Sequence, residues 1–142
     1  MPVRRILRLT VPQRPARYFA IVSSANDYRL CWEMNNALGW HLTAATPCTL
    51  PLGNGTAAAF PRFVHDANRF GCTLTVNRNQ FGTLIPHLSQ TDYILDTDAS
   101  EDDVPSAELL SAIKALPSVS LATTITDTAR LARAIRKIQS FF

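Results

Sequence analysis

The chain has little of what builds cross-links, metal frameworks and catalytic turns. Its three cysteines, Cys31, Cys48 and Cys72, are widely spaced and odd in number, with no C-x-x-C pair. That argues against a disulfide framework and predicts free, buried thiols in a reducing compartment. Cys31 falls on the apolar side of a predicted helix, where a thiol packs rather than reacts. His41, His65 and His87 are as scattered as the cysteines, and no spacing supplies a two-plus-two zinc framework. Glycine is scarce, at 5 residues. Gly53-x-Gly55 does not lead from a strand into a helix, so it is neither a dinucleotide fingerprint nor a phosphate loop. Ser23-Ser24 lacks the G-x-S-x-G setting of a nucleophile elbow. No apolar run approaches the ~20 residues of a membrane helix. No apolar stretch with a small-residue cleavage site follows the charged N-terminus. These absences predict a soluble, cytoplasmic protein without membrane contact. No repeat in the 20–50-residue range suggests a solenoid.

What is present fits one globular domain spanning 1–142. The hydrophobic fraction is 46% and the charged fraction 18%, enough apolar surface for a core without staples. The net charge of +3 is mild, but it is segregated and written mostly with arginine. Arg4, Arg5, Arg8, Arg14 and Arg17 precede any acid, and Arg130, Arg133, Arg136 and Lys137 close the chain. Between them lies an acidic block from Asp92 through Asp96, Asp98, Glu101, Asp102 and Asp103 to Glu108. Such asymmetry can attract a polyanion or a charged partner, and its plainer reading is a solvated surface.

Period-two alternation predicts a strand over Val3–Val11. A more continuously apolar strand follows at Tyr18–Ser23. Asn26 or Asp27 caps a helix with Leu30, Met34, Ala37 and Leu38 inward, ended by Gly39. Trp40–Thr46 is a strand, stopped by Pro47, and 47–56 a loop. Ala59–Asp66 and Phe70–Asn77 form a hairpin. Leu84–Gln90 is a short turn, and Asp92–Asp96 a strand. Ser106 caps a helix through Leu116, Val119–Ile125 is a strand, and Thr126 caps a last helix with Leu131, Ile135, Ile138 and Phe142 in one stripe. This order predicts an α+β fold: a mixed, largely antiparallel sheet with about three helices packed on one face.

Two constellations carry chemistry. Asp96-x-Asp98 follows an apolar strand, where two carboxylates can converge on magnesium or manganese. The calcium-loop pattern fails, because Glu101 and Ala107 stand where a glycine and a bidentate carboxylate are needed. The alternative use of these acids is to complement the N-terminus of the Ser106 helix. Arg4, Arg5, Arg8, Arg133 and Arg136 would form a phosphate-neutralising patch for RNA or DNA if the two chain ends met. No RNP-type aromatic pattern accompanies them.

Two segments remain: Asp27-Tyr28-Arg29-Leu30-Cys31-Trp32-Glu33, and Leu84-Ile85-Pro86-His87-Leu88-Ser89-Gln90-Thr91-Asp92-Tyr93. In this order they resemble the bacterial IPExxxVDY family, whose function is not established. Ile85, Pro86, Asp92 and Tyr93 match four of its five defining positions, while His87 stands where the pattern has glutamate. Thr91 replaces its valine. The resemblance brings no catalytic residues with it. The motif residues Asp27, Tyr28, Cys31, Trp32, Glu33, Ile85, Pro86, Asp92 and Tyr93 read as structural: Pro86 fixes a turn, Asp92 bonds backbone amides, Asp27 caps a helix and Trp32 fills volume.

With no converging acid, base and nucleophile, the sequence predicts a non-enzymatic binding protein that acts through a protein partner and needs no cofactor. Nucleic acid on the arginine patch and a metal-assisted enzyme at Asp96 and Asp98 are the alternatives.

Overall fold

The computed structural model describes residues 16–67 and 70–139. The predicted first strand, with Arg4, Arg5 and Arg8, lies outside the described residues, as do Arg14 and Phe142. The elements are β1 (Arg17–Ser23), α1 (Asp27–Leu38), β2 (Thr43–Pro51), β3 (Ala57–Asp66), β4 (Gly71–Val76), β5 (Arg78–Asn79) and β6 (Gly82–Thr83). A single turn at Pro86–Leu88 leads to β7 (Tyr93–Thr97), α2 (Ser106–Lys114), β8 (Val119–Thr124) and α3 (Thr128–Gln139). Among the described residues, six strands form one sheet in the order β2-β3-β4-β7-β1-β8. Each of its five pairings is antiparallel. The fold is α+β, as the sequence predicts. No helix among the described residues is long and apolar enough to cross a membrane.

Alternate residues of a strand face opposite sides, and both sides of this sheet are used. Phe19, Ile21, Leu74 and Leu95 point to one face and pack with Leu30 and Met34 of α1 and Leu109 and Ile113 of α2. Ala58, Phe60 and Ile94 point to the other and meet Leu131 and Ile138 of α3. The expectation of helices on one face is therefore corrected. α3 covers the second face because its only apolar stripe, Leu131, Ile135 and Ile138, needs an apolar partner of its own.

β2 also differs from expectation. It runs through Pro47 to Pro51, with a register shift between Ala45 and Cys48. It is an edge strand, where one side of the backbone needs no ladder donor, so proline is tolerated at a bulge. The small β5–β6 hairpin carried no apolar alternation to announce it.

α1 begins at Asn26, whose Oδ1 accepts from Arg29 N at 2.9 Å. It ends at Gly39, which takes a left-handed φ of 69° that a Cβ would oppose. Its most consequential polar residue is Glu33, buried against the α2–β8 turn. Oε1 accepts from Ser118 N at 3.2 Å and Ser118 Oγ at 2.9 Å, and Oε2 pairs with Arg29 Nε at 3.0 Å. Burial raises its pKa, but the bonds from Arg29 and Ser118 outweigh burial and hold the carboxyl below its ordinary value. A lowered carboxylate pKa stabilises the fold above the unfolded value, and that stability is lost as pH falls through the folded one. Glu33→Ala should cost about 2 kcal/mol in urea unfolding at pH 7. The deficit should shrink below the ordinary glutamate pKa of 4.5. A deficit that stays constant down to pH 3 would show that charge plays no part.

α2 starts after Pro105, and Ser106 is its first helical residue rather than its cap. The capping is done from the loop: Glu101 Oε1 accepts from Ser106 N at 2.8 Å. Arg17 ties the same loop down, donating to the carbonyls of Ala99 at 2.9 Å and Ser100 at 3.1 Å and to Glu101 Oε2 at 2.8 Å. Likewise Asp127, not Thr126, caps α3, with Oδ1 accepting from Arg130 N at 3.2 Å.

Candidate functional site

The second sheet face is only partly covered. Between it and α3 lies a cavity of about 410 Å³, within the range that holds small molecules. Leu131, Ile135 and Ile138 of α3 form one wall, with Leu84, Ile85 and Ile94 beside them. The remaining lining is polar and comes from the strands: Tyr18, Arg62, Thr73, Thr75 and Asp96, with Cys48 at the edge strand.

Sheet register places these groups. Asp96 pairs with Thr73 on one side and with Tyr18 on the other. Paired residues in an antiparallel ladder point to the same face, so the three side chains form one row. Arg62 pairs with Thr75, and Thr75 with Ile94, which makes the neighbouring row. Arg62 spends one donor on Thr46 O, at 3.4 Å. Among the described residues no side-chain hydrogen bond engages Tyr18, Thr73, Thr75 or Asp96.

The electrostatics follow from this placement. Burial pushes the Asp96 carboxyl up to about 7; the Arg62 guanidinium opposes the rise and Asp98 adds to it. Burial, with Asp96 nearby, also raises the Tyr18 hydroxyl pKa. A half-buried carboxyl near neutrality, without a hydrogen bond and across from an arginine, can donate or accept according to what sits beside it.

Asp98, exposed and close enough to Asp96 to add to the rise of its pKa, has a backbone partner of its own. Its Oδ1 accepts from Gly71 N at 2.7 Å. Among the described residues no three groups of His, Cys, Asp or Glu converge as a metal site. The acidic loop from Asp98 to Glu101 instead serves Gly71, Arg17 and the start of α2. Of the proposed nucleic-acid patch, Arg133 and Arg136 are exposed on α3, whereas Arg4, Arg5 and Arg8 lie outside the described residues.

The motif residues divide in two. Asp92 Oδ2 accepts from Ser23 N at 3.1 Å and Oδ1 pairs with Arg78 Nε at 3.2 Å. The Tyr93 hydroxyl donates to Ala25 O at 2.7 Å. Ile85 is buried, and Pro86 occupies the first turn of its short helix. Asp27 Oδ1 accepts from Tyr28 N at 2.7 Å. Burial pushes the Cys31 thiol up to about 12 and the Cys72 thiol up to about 11, which leaves both inert. These roles are structural. Tyr28 and Trp32 are different: they stand on the outer side of α1, 75% and 59% exposed. Trp32 therefore fills no core volume, contrary to expectation. It carries the Arg29 guanidinium at 5.2 Å from its ring instead.

Two residues that matter escaped the sequence reading. Asn77, fully buried, organises the second motif, its amide bonding Ile85, Leu88 and Thr91. Arg62 interrupts the apolar run of residues 57–64 in β3, and that interruption was the available signal. No protein-family model matches this chain, and no curated protein is significantly similar to it.

Proposed function

We propose that this chain is a non-enzymatic binding protein whose ligand is a small molecule seated between the second sheet face and α3. The observation that carries this is the cavity itself. It joins an aliphatic wall to a row of polar groups, Tyr18, Thr73 and Asp96, that make no side-chain hydrogen bonds among the described residues. The ligand class that fits has an apolar body and a head that donates to Asp96 and accepts from Arg62.

A fragment screen by amide chemical-shift perturbation tests this. Binding fragments should move residues 73–75, 94–96 and 131–138 together. Thr75→Leu, which removes a hydroxyl and fills space, should weaken them about tenfold. Fragments that move only other surfaces, or turnover of a substrate that is lost in Asp96→Asn, would overturn the reading.

The exposed aromatic pair on α1 supports a second reading, the protein partner expected from the sequence. Tyr and Trp are enriched where partners dock. A specific partner recovered with the parent chain and lost with Trp32→Ala would favour it over the cavity.

A further inference from the structure

α3 has a second stripe that its apolar face does not explain. Arg133, Ala134 and Lys137 lie three, four and seven residues after Arg130, so the four share one side of the helix. Together with His87 they line a cavity of about 450 Å³, distinct from the one containing Asp96. Leu84 and Ile138 line both cavities. We propose that this second cavity is a phosphate-binding site, in which Arg130, Arg133 and His87 hold the phosphate group of a small phosphorylated molecule.

Four observations support the assignment. First, no carboxylate lines the cavity among the described residues; Asp127, at the start of α3, is the nearby acid that acts on His87. The acidic stretch from Asp98 to Glu101 follows the C-terminal end of β7, whereas the Pro86–Leu88 turn precedes its N-terminal end. Second, Arg130 and Arg133 are exposed and form no ion pair among the described residues. Their guanidinium forks remain available for oxygen pairs. Third, His87 Nε2 is buried without a hydrogen-bond partner among the described residues, an arrangement that costs stability until something bonds it. Burial and Arg130 lower the His87 pKa, against an opposing effect of Asp127, and the tautomer protonated at Nε2 is the one that donates to an anion. Fourth, Ala134 is short and sits in the same stripe as the two arginines, which leaves room for an anion.

Donors from two arginines and one imidazole match the three terminal oxygens of a phosphate monoester better than the two of a carboxylate. A nucleic-acid strand fits less well. The rest of the lining among the described residues is Leu50, Leu84, Pro86 and Ile138, with no Phe, Tyr or Trp platform for a base. This site stands independently of the ligand proposed for the Asp96 cavity.

Titration with inorganic phosphate, followed by amide and imidazole chemical shifts, is the test. Saturable shifts are expected at His87 and at residues 130–137, with acetate at equal ionic strength much weaker. Arg130→Gln with Arg133→Gln should reduce affinity at least about tenfold, and His87→Glu should abolish binding. Arg136→Gln, outside the stripe, should leave it unchanged. The same spectra report whether each variant is folded. Non-saturating shifts, equal binding of acetate, or equal losses in Arg136→Gln would overturn the site. Single-stranded RNA that binds more tightly than phosphate, with equal dependence on Arg133 and Arg136, would overturn it in favour of a polyanion track.

Discussion

Replacing Asn77 by alanine is expected to remove about 3 kcal/mol of stability, the largest loss from any single polar side chain here. The residue is completely buried. Its Nδ2 donates to Leu88 O at 2.9 Å and Thr91 O at 2.8 Å, and its Oδ1 accepts from Ile85 N at 2.9 Å. Its backbone closes the same loop, with Asn77 N on Asp92 O at 2.9 Å and Leu84 N on Asn77 O at 2.6 Å. Removing the side chain leaves the Thr91 carbonyl and the Ile85 amide without that partner, while Leu88 O keeps only Thr91 N at 3.0 Å; a buried polar group costs about 1–3 kcal/mol when unpaired. Asn77→Asp keeps the shape but turns an oxygen toward the two carbonyls, so it should be at least as damaging at pH 7. Urea midpoints measure both. A loss under about 1 kcal/mol for either variant would mean that water replaces the amide freely.

Asp96→Asn is expected to act in the opposite direction, raising stability by about 2 kcal/mol at pH 8. The carboxyl pKa near 7 in the fold lies above the ordinary 3.8. The folded chain therefore holds the proton more tightly than the unfolded chain. Between those two values the native state binds more protons, so stability falls as pH rises, and the full cost is present above pH 7. Three pK units correspond to about 4 kcal/mol; partial exposure of the carboxyl reduces that to about half. The measurable signature is a slope: the parent should lose stability between pH 4 and pH 7 in a way that Asp96→Asn does not. Parallel pH profiles would show that the carboxyl is well solvated. A stabilising substitution at a cavity is also what a site kept for binding rather than for stability would give.

The elements were legible where a local signal was strong. Asn26, Gly39 and the spacing of Leu30 and Met34 define α1 at both ends, since capping and helical periodicity act within a few residues. The hairpin of β3 and β4 was equally visible, as was the stripe of Leu131, Ile135 and Ile138. Where two local signals competed, the tertiary setting chose between them. Pro47 would break a central strand but is accepted on an edge, and whether a strand lies at an edge is not written near the proline. Ser106 looked like a cap, yet Glu101 reaches the helix start first because Arg17 holds the loop beneath it. Trp32 looked like core by composition, but it projects from the side of α1 opposite Leu30 and Met34.

The sequence by itself determined the α+β class, free rather than cross-linked cysteines, and the segregation of arginine from acid. Each follows from composition or from spacing over a few residues. The tertiary structure alone decided that α3 covers the second face of the sheet, that Asp96 and Asp98 serve different neighbours, and that His87 meets Arg130 and Arg133 in one cavity. Those outcomes depend on strand order and register, which bring residues 18, 62, 73 and 96 into adjoining rows. Contacts across such separations come from burying two sheet faces at once, and no window of neighbouring residues contains them.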